Sequence, residues 1–249
     1  MNRSLPTLAL LTLACIAAAT AAPHDLPDYI ARALADPSRP ARDRELDAQR
    51  RPGEVLRFAG VRPAETIAEF LPGGGYYTRL LSDVVGASGK VYALETTTWG
   101  DDTVKATRAV LSEPGRKNVL LDLAPLGSFH LPEPVDLFWT SLNYHDLHVP
   151  RYAHVDMAAF NKSVFAALKP GGIYLIVDHA AAPGSGASAA PTLHRIEEAT
   201  VVEEVTAAGF RLLGRSDLLR HPSDAHTRNV FDPSVRWRTD RFILKFERP

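Results

Sequence analysis

The sequence predicts an α/β protein whose sheet is doubly wound, mostly parallel and seven-stranded. Short apolar segments alternate with segments of about ten residues that have helical periodicity, which is typical of successive βαβ units. Residues 173–177 are apolar throughout, as in a strand that is covered by helices on both faces. No helical segment separates the last two predicted strands, so we expect an antiparallel C-terminal hairpin strand at one edge.

The elements of the first half follow one another at short intervals. Residues 66–70 form a short apolar strand, and a glycine-rich turn separates it from an amphipathic helix at residues 76–85. The alternation then continues with a strand at 90–95, a helix at 103–111 and strands at 119–122 and 135–140.

The second half begins with a helix at residues 157–168 and the apolar strand at 173–178. Residues 180–191 are rich in Ala, Gly, Ser and Pro, and we expect a flexible loop that lies over a site. A long helix at 193–208 and strands at 210–218 and 241–246 complete the prediction.

The N-terminal residues have the composition of a secretory signal. Arg3 precedes an apolar run at residues 5–19, and small residues follow as far as Ala21. We expect cleavage after Ala21, which removes Cys15, the sole cysteine, and leaves no stable membrane insertion. A retained membrane helix and lipidation at Cys15 are the alternatives, although Pro6 shortens the run below the roughly 20 apolar residues that a spanning helix needs.

Three segments therefore make up the predicted chain: a signal peptide (1–21), an N-terminal lead-in (22–52) and one α/β domain (53–249). The lead-in is rich in Pro, Arg and Asp, with helical patches near residues 29–34 and 42–50. The 28 basic and 29 acidic residues give a net charge of -1, without a clustered basic stripe. Charge thus indicates neither a nucleic-acid partner nor an anionic membrane surface.

The glycine-rich turn lies between the first strand and the following helix. Gly73, Gly74 and Gly75 allow a ligand to approach the backbone closely, and the helix N-terminus offers free N–H groups. Glu95 ends the next strand, twenty residues after Gly75, where a carboxylate can accept hydrogen bonds from both hydroxyls of a ribose. Together these features predict a nucleoside-binding crevice, with a plain glycine turn as the alternative.

The stretches at 60–95, 135–143 and 168–178 resemble the class I S-adenosylmethionine-dependent methyltransferases. That family has an acidic residue, a glycine-rich turn and an acidic residue at the end of the second strand, which Glu69, Gly73, Gly75 and Glu95 match. The sequence Lys-Pro-Gly-Gly at 169–172 is another common family mark. Within that family the chain resembles a group of bacterial predicted methyltransferases with signal peptides, through the shared sequences Pro-Gly-Gly-Gly-Tyr-Tyr-Thr and Asn-Tyr-His-Asp-Leu-His.

The resemblance implies S-adenosylmethionine as the cofactor. It implies cofactor contacts from these residues: Glu69, Gly73, Gly74, Gly75 and Glu95. Asp122, at the end of the third strand, matches a carboxylate that the family often has near the adenine, and a cap of the following turn is the alternative. The chain departs from the family at Leu71, where the first glycine usually stands.

A polar loop follows the fourth predicted strand at residues 140–148. In methyltransferases of this kind the loop faces the transferred methyl group. Asn143 is a candidate to orient an acceptor, Tyr144 to stack on it and His145 to remove its proton, because the unperturbed pKa of histidine lies near working pH. Histidines that only bond the backbone are the alternative.

Asp178 and His179 end the fifth predicted strand, and His194 opens the next predicted helix. A carboxylate and an imidazole at adjacent strand ends can form a base and its orienting partner, with Asp178 fixing the tautomer of His179 or of His145. The alternative is that Asp178 merely caps a loop.

We therefore expect methyl transfer to a small-molecule or envelope-associated acceptor, since the predicted site can supply the positioning and the one base that this chemistry needs. The predicted signal peptide implies that the enzyme is periplasmic or secreted. A metal-dependent hydrolase or metal-binding protein is a second hypothesis, based on the His and Asp side chains expected at one sheet edge: His145, Asp146, His148, Asp178, His179 and His194. A third is a nucleoside-binding module without turnover, because an exported protein meets little of a cytoplasmic cofactor.

Overall fold

The computed structural model describes residues 26–127, 129–152 and 155–249. The predicted signal peptide and Cys15 lie outside the described residues. In the described part of the chain, no helix combines the length and the apolar character that crossing a bilayer requires.

Strands and helices alternate through the domain as the sequence predicts. The strands are β1 (Thr66–Phe70), β2 (Lys90–Glu95), β3 (Val119–Leu123), β4 (Val135–Ser141), β5 (Leu168–His179), β6 (Arg211–Ser216) and β7 (Arg241–Glu247). The helices are α1 (Asp28–Ala35), α2 (Ala41–Glu45), α3 (Asp47–Arg50), α4 (Pro52–Ala59), α5 (Tyr76–Val85), α6 (Asp101–Leu111), α7 (Met157–Ala167), α8 (Ala190–Leu193) and α9 (Glu198–Ala207). Short 3-10 helices span Thr97–Trp99 and His145–His148.

One sheet joins the seven strands in the order β3-β2-β1-β4-β5-β7-β6. The five strands β1 to β5 are mutually parallel, whereas β7 runs antiparallel to both β5 and β6. The predicted doubly wound sheet with an antiparallel C-terminal strand is confirmed. The strands are added toward one edge of the sheet from β1 to β3 and toward the other edge from β4 onward, so the strand order reverses between β1 and β4. A crevice at the carboxyl ends of two such neighbouring strands is the usual ligand position in this architecture.

Packing on both faces explains the apolar strands. Phe138 and Tyr174 lie in one core cluster, and the next residues along the same strands, Trp139 and Leu175, lie in the other. Consecutive side chains of a strand point to opposite faces, so each of these strands contributes to both layers. These four side chains are fully buried, as their continuous apolar sequence predicts.

The predicted N-terminal lead-in is part of the same fold. Ile30 in α1 is fully buried in the cluster that contains Leu80 of α5. The helix α4 begins at Pro52, and the sequence analysis missed it, although Pro at the first helical position and Gly60 just past the end are typical helix boundaries. Arg79 of α5 also holds the lead-in against the domain, because its guanidinium donates a hydrogen bond to Asp43 in α2 over 2.9 Å.

The single helix predicted at 193–208 is wrong. His194 has φ 55° and ψ 48°, a left-handed conformation that ends α8, and the chain then pairs briefly with the end of β5 through Ile196 before α9 begins. The loop predicted to be flexible is closed by hydrogen bonds, because the backbone N–H groups of Gly184 and Gly186 both donate to the Glu197 carboxylate over 2.8 Å.

Candidate active site

The glycine turn after β1 forms one wall of a cavity at the carboxyl ends of the strands. Gly73 (φ 59°) and Gly75 (φ 77°) adopt left-handed conformations, and so does Leu71 (φ 52°), which stands where glycine is usual. Leu71 therefore keeps the turn in the backbone conformation of a glycine, at a conformational cost of about 1–2 kcal/mol. A Cβ atom on Gly73 or Gly74 would meet nothing within 4 Å, so the backbone there is open to a ligand.

The cavity has a volume of about 600 Å³. The lead-in helices, the glycine turn, the loop after β4 and the segment before β7 all contribute to it. Its lining includes Arg42, Leu46, Arg50, Leu71, Pro72, Gly73, Gly74, Tyr76, Trp99, Leu142, Asn143, Asp146 and Trp237. The sequence analysis found the glycines and Asn143, and it missed the roof formed by the lead-in and Trp237, because these segments lie outside the βαβ pattern.

Arg50 is a cationic side chain of this roof. Its guanidinium carbon lies 4.4 Å from the centroid of the Tyr76 ring and 5.6 Å from that of Trp237. Its Nε has no hydrogen-bond partner among the described residues. Two aromatic rings thus hold a guanidinium at the cavity, where its charge can attract an anionic group.

The carboxylates predicted to bind the cofactor lie close to the turn. Glu95 accepts a hydrogen bond from the Thr107 hydroxyl through Oε1 over 2.6 Å, whereas its buried Oε2 has no partner within the described part of the chain. Burial raises the pKa of Glu95, against the opposing effect of the Thr107 hydroxyl and of the nearby backbone amides of Thr96 and Gly73. One carboxylate oxygen is therefore fixed and the other is free to accept.

Glu69 and Asp122 occupy different surroundings. Burial raises the pKa of Glu69 to about 8, and its side chain is only slightly exposed within β1. Asp122 is half-buried in β3 and pairs in register with Leu94 of β2. Its predicted position near an adenine stays a prediction, as does the contact of Glu69 with a cofactor.

Asn143 joins the loop after β4 to the glycine turn. Its Nδ2 donates to the backbone oxygens of Phe70 and Leu71, over 2.9 and 3.2 Å. Its Oδ1 is buried and, among the described residues, lacks a partner. Leu142, immediately before it, has φ 63°, so the chain turns sharply to place this amide at the cavity.

Behind Asn143, His145 lies in a network of polar side chains. Its Nδ1 is 2.7 Å from Asp178 Oδ1, and its backbone N–H donates to Asp178 Oδ2 over 2.8 Å. Its Nε2 lies 3.3 Å from both His194 Nδ1 and Asp146 Oδ1. Of the two histidines whose tautomer Asp178 was predicted to fix, His145 is the one whose ring contacts it, whereas His179 has Nδ1 2.8 Å from the Thr239 hydroxyl.

The histidine pKa values separate in this network. Burial acts to lower the pKa of His145, but Asp178 and Asp146 more than offset it and raise the value to about 10. Burial lowers the pKa of His179 well below its usual range, and it also lowers that of His194. A proton held this strongly does not suit a general base, so the catalytic role of His145 stays a prediction.

Tyr144 does not take the position predicted for it. It is fully buried in the core, where its hydroxyl donates to Glu204 over 2.7 Å and accepts from Asn161 over 2.9 Å. A ring enclosed in this way has no free face for an acceptor, which corrects the expectation that Tyr144 stacks on one. His148 lies 3.3 Å from the same Glu204 and belongs to that structural group.

Several solved methyltransferases are similar to this chain. A SAM dependent methyltransferase from Aquifex aeolicus superposes with a TM-score of 0.58 at 21% identity, over 85% of this chain and 99% of its own. One from Mesorhizobium loti gives 0.56 at 20% identity, over 82% and 100%. The glycopeptide N-methyltransferase MtfA complexed with (S)-adenosyl-L-methionine gives 0.54 at 18%, over 79% and 86%.

The chain has the class I methyltransferase fold. No protein-family model and no curated protein matches the sequence. At these identities the similarity establishes the fold, and function within the methyltransferase fold has to be argued from the site itself.

Proposed function

We propose that this chain is a methyltransferase that uses S-adenosylmethionine and acts on a small-molecule or envelope-associated acceptor. The observation that carries the proposal is the cavity of about 600 Å³ at the carboxyl ends of β1 and β4, with an open glycine turn on one side and the guanidinium of Arg50 on the other. The complex of MtfA with S-adenosyl-L-methionine, which shares the fold, supports the same cofactor.

In this proposal the ribose and the amino-acid part of the cofactor each have complementary groups at the site. The free Oε2 of Glu95 can accept from a ribose hydroxyl, and Arg50 can bind the carboxylate of the amino-acid part. The unpartnered Oδ1 of Asn143 can accept from the ammonium group beside that carboxylate. These three groups belong to different elements, the end of β2, α3 and the loop after β4, and we infer that they orient the cofactor along the crevice.

The acceptor, in this proposal, enters beside Asn143 and Asp146, which line the cavity on the side of the loop after β4. Methyl transfer requires the nucleophile to lie in line with the sulfonium and its methyl group, so positioning supplies most of the catalysis. An acceptor in the cell envelope is consistent with the predicted signal peptide, and both the acceptor and the export remain proposals.

Binding of S-adenosylhomocysteine tests the proposed function. We expect Glu95→Ala to weaken binding, measured by calorimetry, by about 1.5–3 kcal/mol, the range for a hydrogen bond to a charged group. The matched control is Glu133→Ala, because Glu133 is an exposed carboxylate that contacts Lys90 and Tyr92. No binding by the parent, or equal affinities for the two variants, would contradict the cofactor assignment.

A further inference from the structure

Three metal-binding side chains converge behind the cavity, at the edge formed by the ends of β4 and β5. His145 and Asp146 come from the 3-10 helix after β4, and His194 comes from the C-terminal end of α8. Their facing atoms are His145 Nε2, Asp146 Oδ1 and His194 Nδ1, which together form a group able to hold a metal ion.

The distances between these atoms form a nearly equilateral triangle. His145 Nε2 lies 3.3 Å from His194 Nδ1 and 3.3 Å from Asp146 Oδ1, and the third side, between His194 and Asp146, is 3.2 Å. Zinc binds imidazole nitrogen and carboxylate oxygen at about 2.0–2.1 Å in tetrahedral sites. Ligand atoms of a regular tetrahedron are about 1.63 bond lengths apart, or roughly 3.3–3.4 Å for such bonds.

The hydrogen-bond chemistry of the triangle favours a cation in its centre. Asp178 accepts from Nδ1 of His145, so Nε2 is the nitrogen that faces Asp146 and His194, and a metal ion that displaces its proton meets a lone pair directed at both. The Asp146 oxygen is an acceptor as well. A single proton can serve one side of the triangle at a time, whereas a divalent cation interacts with all three atoms.

Asp178 supplies the outer support that metal-bound histidines usually have. Besides contacting Nδ1 of His145, its carboxylate accepts from the backbone N–H groups of His145 and His179, over 2.8 and 2.7 Å. It is fully buried, so these bonds fix its orientation. A carboxylate that holds the second nitrogen of an imidazole sets the tautomer and raises the basicity of the nitrogen that binds metal.

We propose that His145, Asp146 and His194 bind one zinc ion through Nε2, Oδ1 and Nδ1. Three protein ligands leave a fourth tetrahedral position for water or another oxygen ligand. Asp146 also lines the cavity, so the ion lies at its edge. The binding of zinc is independent of methyl transfer, whereas the further step, that an acceptor oxygen occupies the fourth position, rests on the proposed function.

The test is zinc binding by the full chain as it is purified, without any cofactor. After treatment with a chelator and dialysis, the protein is titrated with zinc in competition with a chromophoric chelator, and the metal content is measured by mass spectrometry. We expect one zinc ion per chain. Cobalt in the same site should give the strong visible absorption of tetrahedral coordination.

Variants locate the ion. His194→Ala and Asp146→Asn should each lower zinc affinity by roughly 100-fold or more, and Asp178→Asn by about 10- to 100-fold, the usual effect of losing an outer-shell partner. His148→Ala is the matched control, because this histidine belongs to the same 3-10 helix but contacts Glu204. It should bind zinc as the parent does.

Circular dichroism of the metal-free proteins shows whether each variant is folded, and His194→Gln, which keeps most of the side-chain volume, replaces His194→Ala if the latter unfolds. The proposal is overturned if the parent binds no zinc in the titration, or if the His194 and Asp146 variants keep the parent's zinc affinity. It is also overturned if His148→Ala lowers zinc affinity as much as those variants do. Weak, octahedral-type cobalt absorption would overturn the tetrahedral assignment. Because none of these measurements involves methyl transfer, failure of the proposed function leaves them unaffected.

Discussion

Glu69 is a carboxyl group enclosed within β1, close to the glycine turn. Its pKa of about 8 in the folded protein, caused mainly by burial, lies above the ordinary value of 4.5. Between these two values the unfolded chain releases a proton that the folded protein keeps. Folding stability therefore falls as pH rises through this window.

Glu69→Gln removes this dependence. We expect the stability of Glu69→Gln relative to the parent, measured by urea unfolding, to grow by roughly 3 kcal/mol between pH 5 and pH 8. The exposed Glu133 provides the control, since Glu133→Gln should show no such growth. A difference between Glu69→Gln and the parent that is the same at both pH values would mean that Glu69 ionises normally in the folded protein.

Arg50 allows the two ends of the cofactor to be tested separately. Arg50→Met should weaken binding of S-adenosylhomocysteine by about 10- to 100-fold, since hydrogen bonds to charged groups contribute about 1.5–3 kcal/mol. Binding of 5′-methylthioadenosine, which lacks the amino-acid part, should be unchanged. Arg42→Met serves as the control, because Arg42 also lines the cavity but its side chain is 71% exposed. Equal losses for both ligands would show that Arg50 does not bind the carboxylate.

At the scale of elements, the glycine turn has two positions with different requirements. A Cβ atom on Gly75 would lie 2.5 Å from Val110 Cγ2, and the residue has a positive φ, whereas a Cβ atom on Gly74 meets nothing within 4 Å. The first position connects β1 to α5 by close packing against α6. The second position, Gly74, carries no side chain, which leaves the backbone of the turn accessible to a ligand.

Alanine substitutions separate these two requirements. Gly75→Ala should destabilise the protein by about 1–3 kcal/mol, because both the left-handed backbone and the contact with Val110 oppose a side chain. Gly74→Ala should change stability by less than about 0.5 kcal/mol. Chemical unfolding measures both values, and equal destabilisation by the two variants would contradict this account of the turn.

Local sequence patterns predicted most of the elements and part of the site. The strands β1 and β2 have the predicted bounds because apolar segments between turns specify them locally. The break at His194 was missed because a left-handed histidine has no distinct sequence pattern, and its position depends on pairing with the end of β5. Arg50 and Trp237 were missed for a similar reason: they meet only through the tertiary fold.

At the scale of the whole molecule, the first helices belong to the core. Helix α1 begins at Asp28, and its Ile30 is fully buried, so the predicted cleavage after Ala21 spares every described element. We therefore predict that protein from the native host begins at or near Ala22, as measured by intact mass and N-terminal sequencing. Intact Met1, or a lipid on Cys15, would contradict cleavage at this point.

The roof of the cavity joins distant parts of the chain. Arg50 stacks near Trp237, and Arg241 Nη2 donates to the backbone oxygen of Gln49 over 2.6 Å. During synthesis, then, a ribosome-bound chain has its glycine turn long before the residues that close the cavity over it. On the proposed function, cofactor capture is then a late event in biogenesis, and under the predicted export only a chain completed before translocation would carry its cofactor across the membrane.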